Sequence, residues 1–207
     1  MRDQFEKLKS SLVLQNPNKK ASSLLLMSYY SREGTTTAAI NLAESMAQDQ
    51  NRNVLLVDGN TRNPCLHEAF DLENTTGFCD FPKDDFDFDQ AVFRTSRRNL
   101  SVIPSGNVEY HPSQVFEHKK FEAFVGRAKQ DFDSIIFDSC PIGKCYDSIV
   151  LASHLDGVLL VIEAEKTPWN DISRTKQVLE EKNIPILGAI LNRRKYRVPR
   201  FIFDRFF

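Results

Sequence analysis

The sequence predicts an α/β domain with a doubly wound, mainly parallel sheet flanked by helices. Two observations carry that expectation. Short, uninterrupted apolar runs rich in branched residues recur at Ser23–Met27, Val54–Val57, Ser134–Phe137 and Val158–Ile162, with a fifth at Ile186–Leu191. Continuous rather than alternating hydrophobicity marks strands buried on both faces, as in parallel sheets. Between the runs lie stretches with helical spacing, chiefly Thr36–Gln50, Phe116–Gln130 and Asp171–Lys182. Strands alternating with helices imply right-handed crossovers.

A length of 207 residues with 41% hydrophobic content suffices for one buried core and is marginal for two. One domain is expected over 1–207, with an N-terminal helix and linker at 1–20 and a basic-aromatic tail at 193–207. Charge is nearly balanced, 27 Lys+Arg against 28 Asp+Glu, so no global field holds the chain on nucleic acid or an acidic membrane, and no nucleic-acid partner is expected. The four cysteines, Cys65, Cys79, Cys140 and Cys145, form no C-x-x-C pair, and the N-terminus has no apolar run of signal-peptide type. A reducing cytoplasm fits, and no run approaches the roughly 20 apolar residues that span a bilayer.

Taken in order, Asp3–Leu14 reads as an amphipathic helix with Phe5, Leu8 and Leu12 on one stripe, ended by Asn16-Pro17-Asn18. Ligands in open α/β sheets bind beyond the carboxyl ends of strands, which directs attention to the connection after the first run. It reads Ser28-Tyr29-Tyr30-Ser31-Arg32-Glu33-Gly34-Thr35-Thr36-Thr37 and opens a helix whose first N–H groups point at an anion. A phosphate loop of the form G-x-x-x-x-G-K-[ST] has glycine at 29, lysine at 35 and Ser/Thr at 36; only Gly34 and Thr36 match. Thr35 carries no charge with which to neutralise phosphate oxygens. Arg32 is a candidate substitute, although its Cβ stands where such loops use glycine.

The second and third runs end in Asp58 and Asp138. With Thr36 they form an oxygen-ligand set for Mg²⁺, although either aspartate alone is as readily a turn cap. Asn192, after the fifth run, suits recognition of a purine edge or an ordinary turn. Phe78–Asp89 is acidic and reads as a solvated connection. Cys140 and Cys145 read as small-residue packing rather than a redox or metal pair.

In this order the segments resemble the bacterial tyrosine kinases (BY-kinases) of capsule and exopolysaccharide assembly, P-loop proteins related to the MinD/ParA ATPases. Asp58-Gly59-Asn60-Thr61-Arg62-Asn63-Pro64 resembles the family's D-x-D-x-R-x-P segment, with Asn60 in place of its second aspartate. Asp138-Ser139-Cys140-Pro141 matches its D-[ST]-x-P segment. Further similarity lies in Ile103-Pro104-Ser105-Gly106 with Pro112-Ser113, in Asp147, in Asp156-Gly157 and in Leu187–Asn192. The resemblance implies ATP or ADP with Mg²⁺, bound through Arg32, Glu33, Gly34, Thr35, Thr36, Thr37, Asn60, Arg62 and Asn192. It implies metal ligation by Thr36, Asp58 and Asp138, Asp58 acting in catalysis, and a C-terminal tyrosine as phosphoacceptor. Here the tail is rich in phenylalanine and only Tyr196 remains. The family's subunit-contact helix pattern, E-x-x-R-x-x-R, corresponds to Asp3, Glu6 and Lys9, with Glu6 reversing a charge.

The resemblance further implies a membrane-embedded polysaccharide chain-length or export protein as partner, and a homo-oligomer or a hetero-oligomer with an active kinase. Placement in the cytoplasm, peripheral to the inner membrane face, follows from such a partner. The losses at 35, 60 and the tail point to an impaired kinase acting as regulator or adaptor; an active autokinase and a MinD/ParA-like switch are the alternatives.

Overall fold

In the computed structural model, which describes residues 2–15, 22–49, 52–107 and 120–194, every apolar run becomes a strand of one sheet. The strands are β1 (Ser22–Ser28), β2 (Val54–Gly59), β3 (Phe93–Arg94), β4 (Leu100–Ile103), β5 (Ser134–Ser139), β6 (Gly157–Glu163) and β7 (Ile186–Asn192), in the spatial order β3-β4-β2-β5-β1-β6-β7. All neighbours run parallel except β3 and β4. The helices are α1 (Arg2–Gln15), α2 (Thr35–Ala47), α3 (Leu66–Phe70), α4 (Phe88–Ala91), α5 (Lys120–Asp131), α6 (Asp147–Ser153) and α7 (Trp169–Glu181).

Alternate side chains of the central strands feed two cores. Leu24 and Leu26 pack with Ala38, Leu42 and Met46 of α2 and with Leu12 of α1, while Leu25 and Met27 face Phe121, Phe124, Ile149, Leu151 and Leu179 from α5, α6 and α7. Helices on both faces bury the strands twice over, which is why the runs are continuous. Phe5 and Leu8 join the stripe of α1 against α2 as its spacing predicts. Glu6 also ties α1 to α2: its Oε1 accepts from Ser45 Oγ at 2.6 Å and its Oε2 lies 2.5 Å from Lys9 Nζ.

Three expectations need correction. First, β3, β4, α3 and α6 were not legible: β3 has two residues, Ser101 interrupts the run of β4, and the two helices are too short to display a period. Second, helix ends shift by a few residues; α2 stops at Ala47, and the predicted start of α5 at Phe116 lies outside the described residues. Third, only the later, acidic part of Phe78–Asp89 is solvated, and its first residues, Phe78–Phe81, are buried. Phe78–Asp80 is a 3₁₀ turn whose Phe78 is fully buried, with Phe81 beside it, among Phe121, Phe124 and Phe137. The acidic letters concealed the aromatic ones: Asp80 itself is buried, with Oδ2 accepting from Gly77 N at 2.9 Å and Oδ1 paired with Lys83.

Candidate functional site

The loop between β1 and α2 is held in shape by Glu33, Gly34 and Asn192. Glu33 is only 2% exposed; its Oε2 accepts the backbone N–H groups of Tyr29 (3.0 Å) and Tyr30 (3.1 Å), and its Oε1 accepts from the Thr167 hydroxyl. A buried carboxylate therefore organises the loop from within, and its side chain does not line the cavity described below. Asn192, at the end of β7, donates Nδ2 to the Glu33 carbonyl at 2.8 Å. Gly34 caps α2 at φ 92°, and a Cβ there would fall 2.2 Å from Asn192 Nδ2, so both backbone and space require glycine. Arg32, by contrast, holds a left-handed φ of 67° with a side chain attached, a strain of about 1–2 kcal/mol.

The Thr35 side chain is bonded inward, into the loop. It is buried, and its hydroxyl donates to Ser28 Oγ at 2.8 Å, which donates in turn to the Tyr30 carbonyl at 2.9 Å.

Thr36 points the other way, toward the carboxylates. Because β2 and β5 are adjacent and parallel, Asp58 and Asp138 are register partners. Thr36 Oγ1 donates to Asp138 Oδ2 at 2.5 Å, and Asp138 Oδ1 is buried with no hydrogen-bond partner. Asp58 accepts from the N–H groups of Cys65 and Leu66, both at 2.9 Å, and of Asn60 at 3.2 Å. Burial, and then the charge of Asp58, push the Asp138 carboxyl up to about 8. Burial raises Asp58 as well, opposed by the N–H groups of Leu66, Cys65 and Asn60. An orphaned carboxylate oxygen beside a hydroxyl and a second carboxylate fits a hard divalent cation, which would take the place of the proton.

In front of these groups opens a cavity of about 660 Å³. The loop supplies Ser28, Ser31, Arg32, Gly34, Thr35, Thr36 and Thr37; the segment after β2 supplies Asn60, Arg62, Asn63 and Cys65; Ser139, Cys140, Pro141, Lys144 and Arg193 complete it. Of the described residues predicted for the site, all but Glu33, Asn192 and the two buried aspartates line this space. Arg62 donates Nε and Nη2 to Asp147 Oδ2 at 3.2 and 3.1 Å, which gives Asp147 a part. A larger cavity of about 730 Å³ lies by Asn53, Asn99 and Phe132, at the amino ends of the strands, where ligands of open α/β sheets do not bind.

Sequence reasoning missed Lys144, Arg193 and Cys65 as wall residues; Lys144 stands three residues beyond Pro141 in the turn after β5, the signal that was there to use. It also misread Cys140 and Cys145, which form a disulfide with Cα atoms 6.8 Å apart. The turn begun by Pro141, whose carbonyl accepts the N–H groups of Lys144 (3.0 Å) and Cys145 (3.2 Å), folds the two thiols together. Tyr196 and Pro112-Ser113 lie outside the described residues.

A mainly parallel sheet with a glycine-capped loop beyond β1, a helix N-terminus behind it and two strand-end carboxylates beside it defines a P-loop NTPase-like fold. The family model described as "AAA domain" matches residues 33–184. The chain is 31% identical over 193 residues to the tyrosine-protein kinase YwqD of Bacillus subtilis (strain 168), a match spanning 93% of this chain and 81% of that protein. The kinase domain of the Escherichia coli tyrosine kinase ETK has the same fold, with a TM-score of 0.86 at 22% identity over 94% of this chain and 77% of that one. So does the septum site-determining protein MinD of Pyrococcus horikoshii OT3, solved with Mg-ADP, with a TM-score of 0.69 at 22% identity over 89% of this chain and 76% of that one. The chain belongs to the bacterial tyrosine-kinase family. Among the described residues, no helix is long and apolar enough to cross a membrane.

Proposed function

We propose that this protein is a tyrosine-autokinase-like component of exopolysaccharide or capsule biosynthesis and export that binds ATP or ADP with Mg²⁺, transfers phosphate poorly, and acts as regulator or adaptor. The observation that carries this reading is Thr35, an uncharged side chain bonded inward to Ser28 at the position of the P-loop lysine. That ammonium ordinarily stabilises the charge that grows on the phosphate oxygens during transfer, and a cation reaching in from outside its position is a weaker substitute for that step.

Thr36, Asp58 and Asp138 are the residues that would hold Mg²⁺, which would supply positive charge against phosphate oxygens. The N–H groups at the start of α2 face phosphate, with Gly34, Thr35, Thr36 and Thr37 forming the turn. Arg32, Asn60 and Arg62 bound the same space. Glu33 shapes the loop rather than touching ligand. Asn192 has one N–H committed to the Glu33 carbonyl and steadies the loop from the end of β7, and base recognition is the role proposed for its other N–H. Asp58 is assigned the role of acting on an acceptor hydroxyl if transfer occurs.

By the same reading the chain works as one domain over 1–207 in the cytoplasm. It is held at the inner membrane face by a membrane-embedded chain-length or export protein, alone in copies or alongside an active kinase, with Tyr196 as its remaining acceptor.

A working autokinase is the second reading, favoured by the cations Arg32, Arg62, Lys144 and Arg193 around the cavity. ATP hydrolysis and autophosphorylation of the purified protein separate the two. Mg-ATP is expected to raise Tm with at most trace turnover. Clear turnover abolished by Asp58→Ala sinks the impaired reading.

A further inference from the structure

We infer that Lys144 is the phosphate-binding cation of this site, reaching in from the turn after β5 in place of the lysine absent at position 35. The inference rests on the nucleotide reading above and goes beyond it by naming the residue that supplies the missing charge.

Four cations line the cavity, and two are already committed. Arg62 is paired with Asp147 at 3.1 Å and Arg193 with Glu163 at 3.2 Å. Lys144 lines the same space, is exposed, and has no ion-pair or side-chain hydrogen-bond partner among the described residues. An ammonium so placed keeps all three donors and its whole charge for an incoming anion.

The fourth cation, Arg32, sits in the loop itself at a strained φ. Lys144 has the better-supported backbone. Its turn is closed by the Pro141 carbonyl and by the Cys140–Cys145 bridge, and it is docked on the phosphate loop. Ile142 N donates to the Ser28 carbonyl at 2.9 Å and Gly143 N to the Tyr29 carbonyl at 3.0 Å. A Cβ on residue 143 would lie 2.8 Å from that Tyr29 oxygen, so glycine is what permits the approach. The residue next to Lys144 is thus hydrogen-bonded to the backbone of the phosphate loop. A flexible four-carbon stem on a fixed base is the arrangement by which a lysine meets phosphate as a point charge.

The test is calorimetric titration of the full chain, with Mg²⁺ present, by two probes, ADP and inorganic pyrophosphate. Proteins compared are the unmodified chain, Lys144→Ala, Lys144→Arg, Arg32→Ala and, as a surface control on α7, Lys176→Ala. Melting curves check that each is folded. Lys144→Ala should weaken both probes by about tenfold or more, the size expected for losing a charged hydrogen bond. Lys144→Arg should retain most of the affinity, and Lys176→Ala all of it.

Equal affinity of Lys144→Ala and the unmodified chain for both probes overturns the inference, as does a loss confined to Arg32→Ala. If ADP binds without regard to Lys144, the nucleotide reading stands and the inference falls. If pyrophosphate binds through Lys144 while ADP does not bind, the inference stands and the nucleotide reading falls. If the unmodified chain binds neither probe, both fall.

Discussion

Thr36 donates its hydroxyl hydrogen to Asp138 Oδ2 at 2.5 Å, leaving Asp138 Oδ1 buried and without a partner beside the register-paired Asp58. Burial, and then the charge of Asp58, outweigh the Thr36 hydroxyl and the Ser139 N–H, so without a cation the Asp138 carboxyl holds its proton more tightly than an ordinary aspartate. It is pushed up to about 8 in the folded chain from an ordinary value of 3.8. Between those values the folded state binds more protons than the unfolded one, so this group makes stability fall as pH rises through the window and adds no slope above it.

The first prediction follows from that sign. In EDTA, Tm should drop between pH 6 and pH 8, with a contribution from Asp138 of up to about 1.4 kcal/mol per pH unit. Asp138→Asn should flatten the decline and be the more stable protein at pH 8. An unchanged slope in the variant would assign the pH dependence elsewhere.

Glu33→Ala removes the carboxylate that accepts two backbone N–H groups and the Thr167 hydroxyl. Leaving buried donors unmet costs on the order of 2–3 kcal/mol. Hydrogen exchange at Tyr29 and Tyr30 should quicken along with a lower Tm. Unchanged exchange there would mean that the loop holds its shape without Glu33.

Phe78→Ala tests whether the acidic segment belongs to the core. Its ring lies 5.3 Å from that of Phe124 and 5.6 Å from that of Phe137, and nothing of it is exposed. A loss of about 3–5 kcal/mol in urea denaturation is expected, a large share of the stability of a domain this size. A loss below about 1 kcal/mol, as for an ordinary surface position, would restore the solvated reading.

Excess dithiothreitol should convert Cys140–Cys145 to two thiols at a cost of about 2 kcal/mol, the low end of the range because the closed loop is short. Thiol titration before and after, alongside denaturation curves, checks it. Four thiols in the unreduced, denatured protein would show that no bridge forms.

The sequence by itself determined five of the seven strands, because short continuous branched apolar runs bounded by turn residues suit strands covered on both faces, as Leu24–Met27 and Val54–Val57 are. It also determined what stands at position 35. A threonine has no charge whatever surrounds it, and a glycine before it admits the turn that opens α2. Tertiary structure alone decided which groups meet there. Asp58 and Asp138 become neighbours only because β5 lies between β2 and β1, and strand order is a long-range property that no local pattern encodes. Phe78 is core only because Phe121 and Phe137 reach it. Lys144 stands in the wall of the cavity for the same reason: Ile142 and Gly143 bond to Ser28 and Tyr29, residues of a strand and loop remote in the chain. Local composition sets what each residue can do, and packing over long sequence distances sets what it does it to.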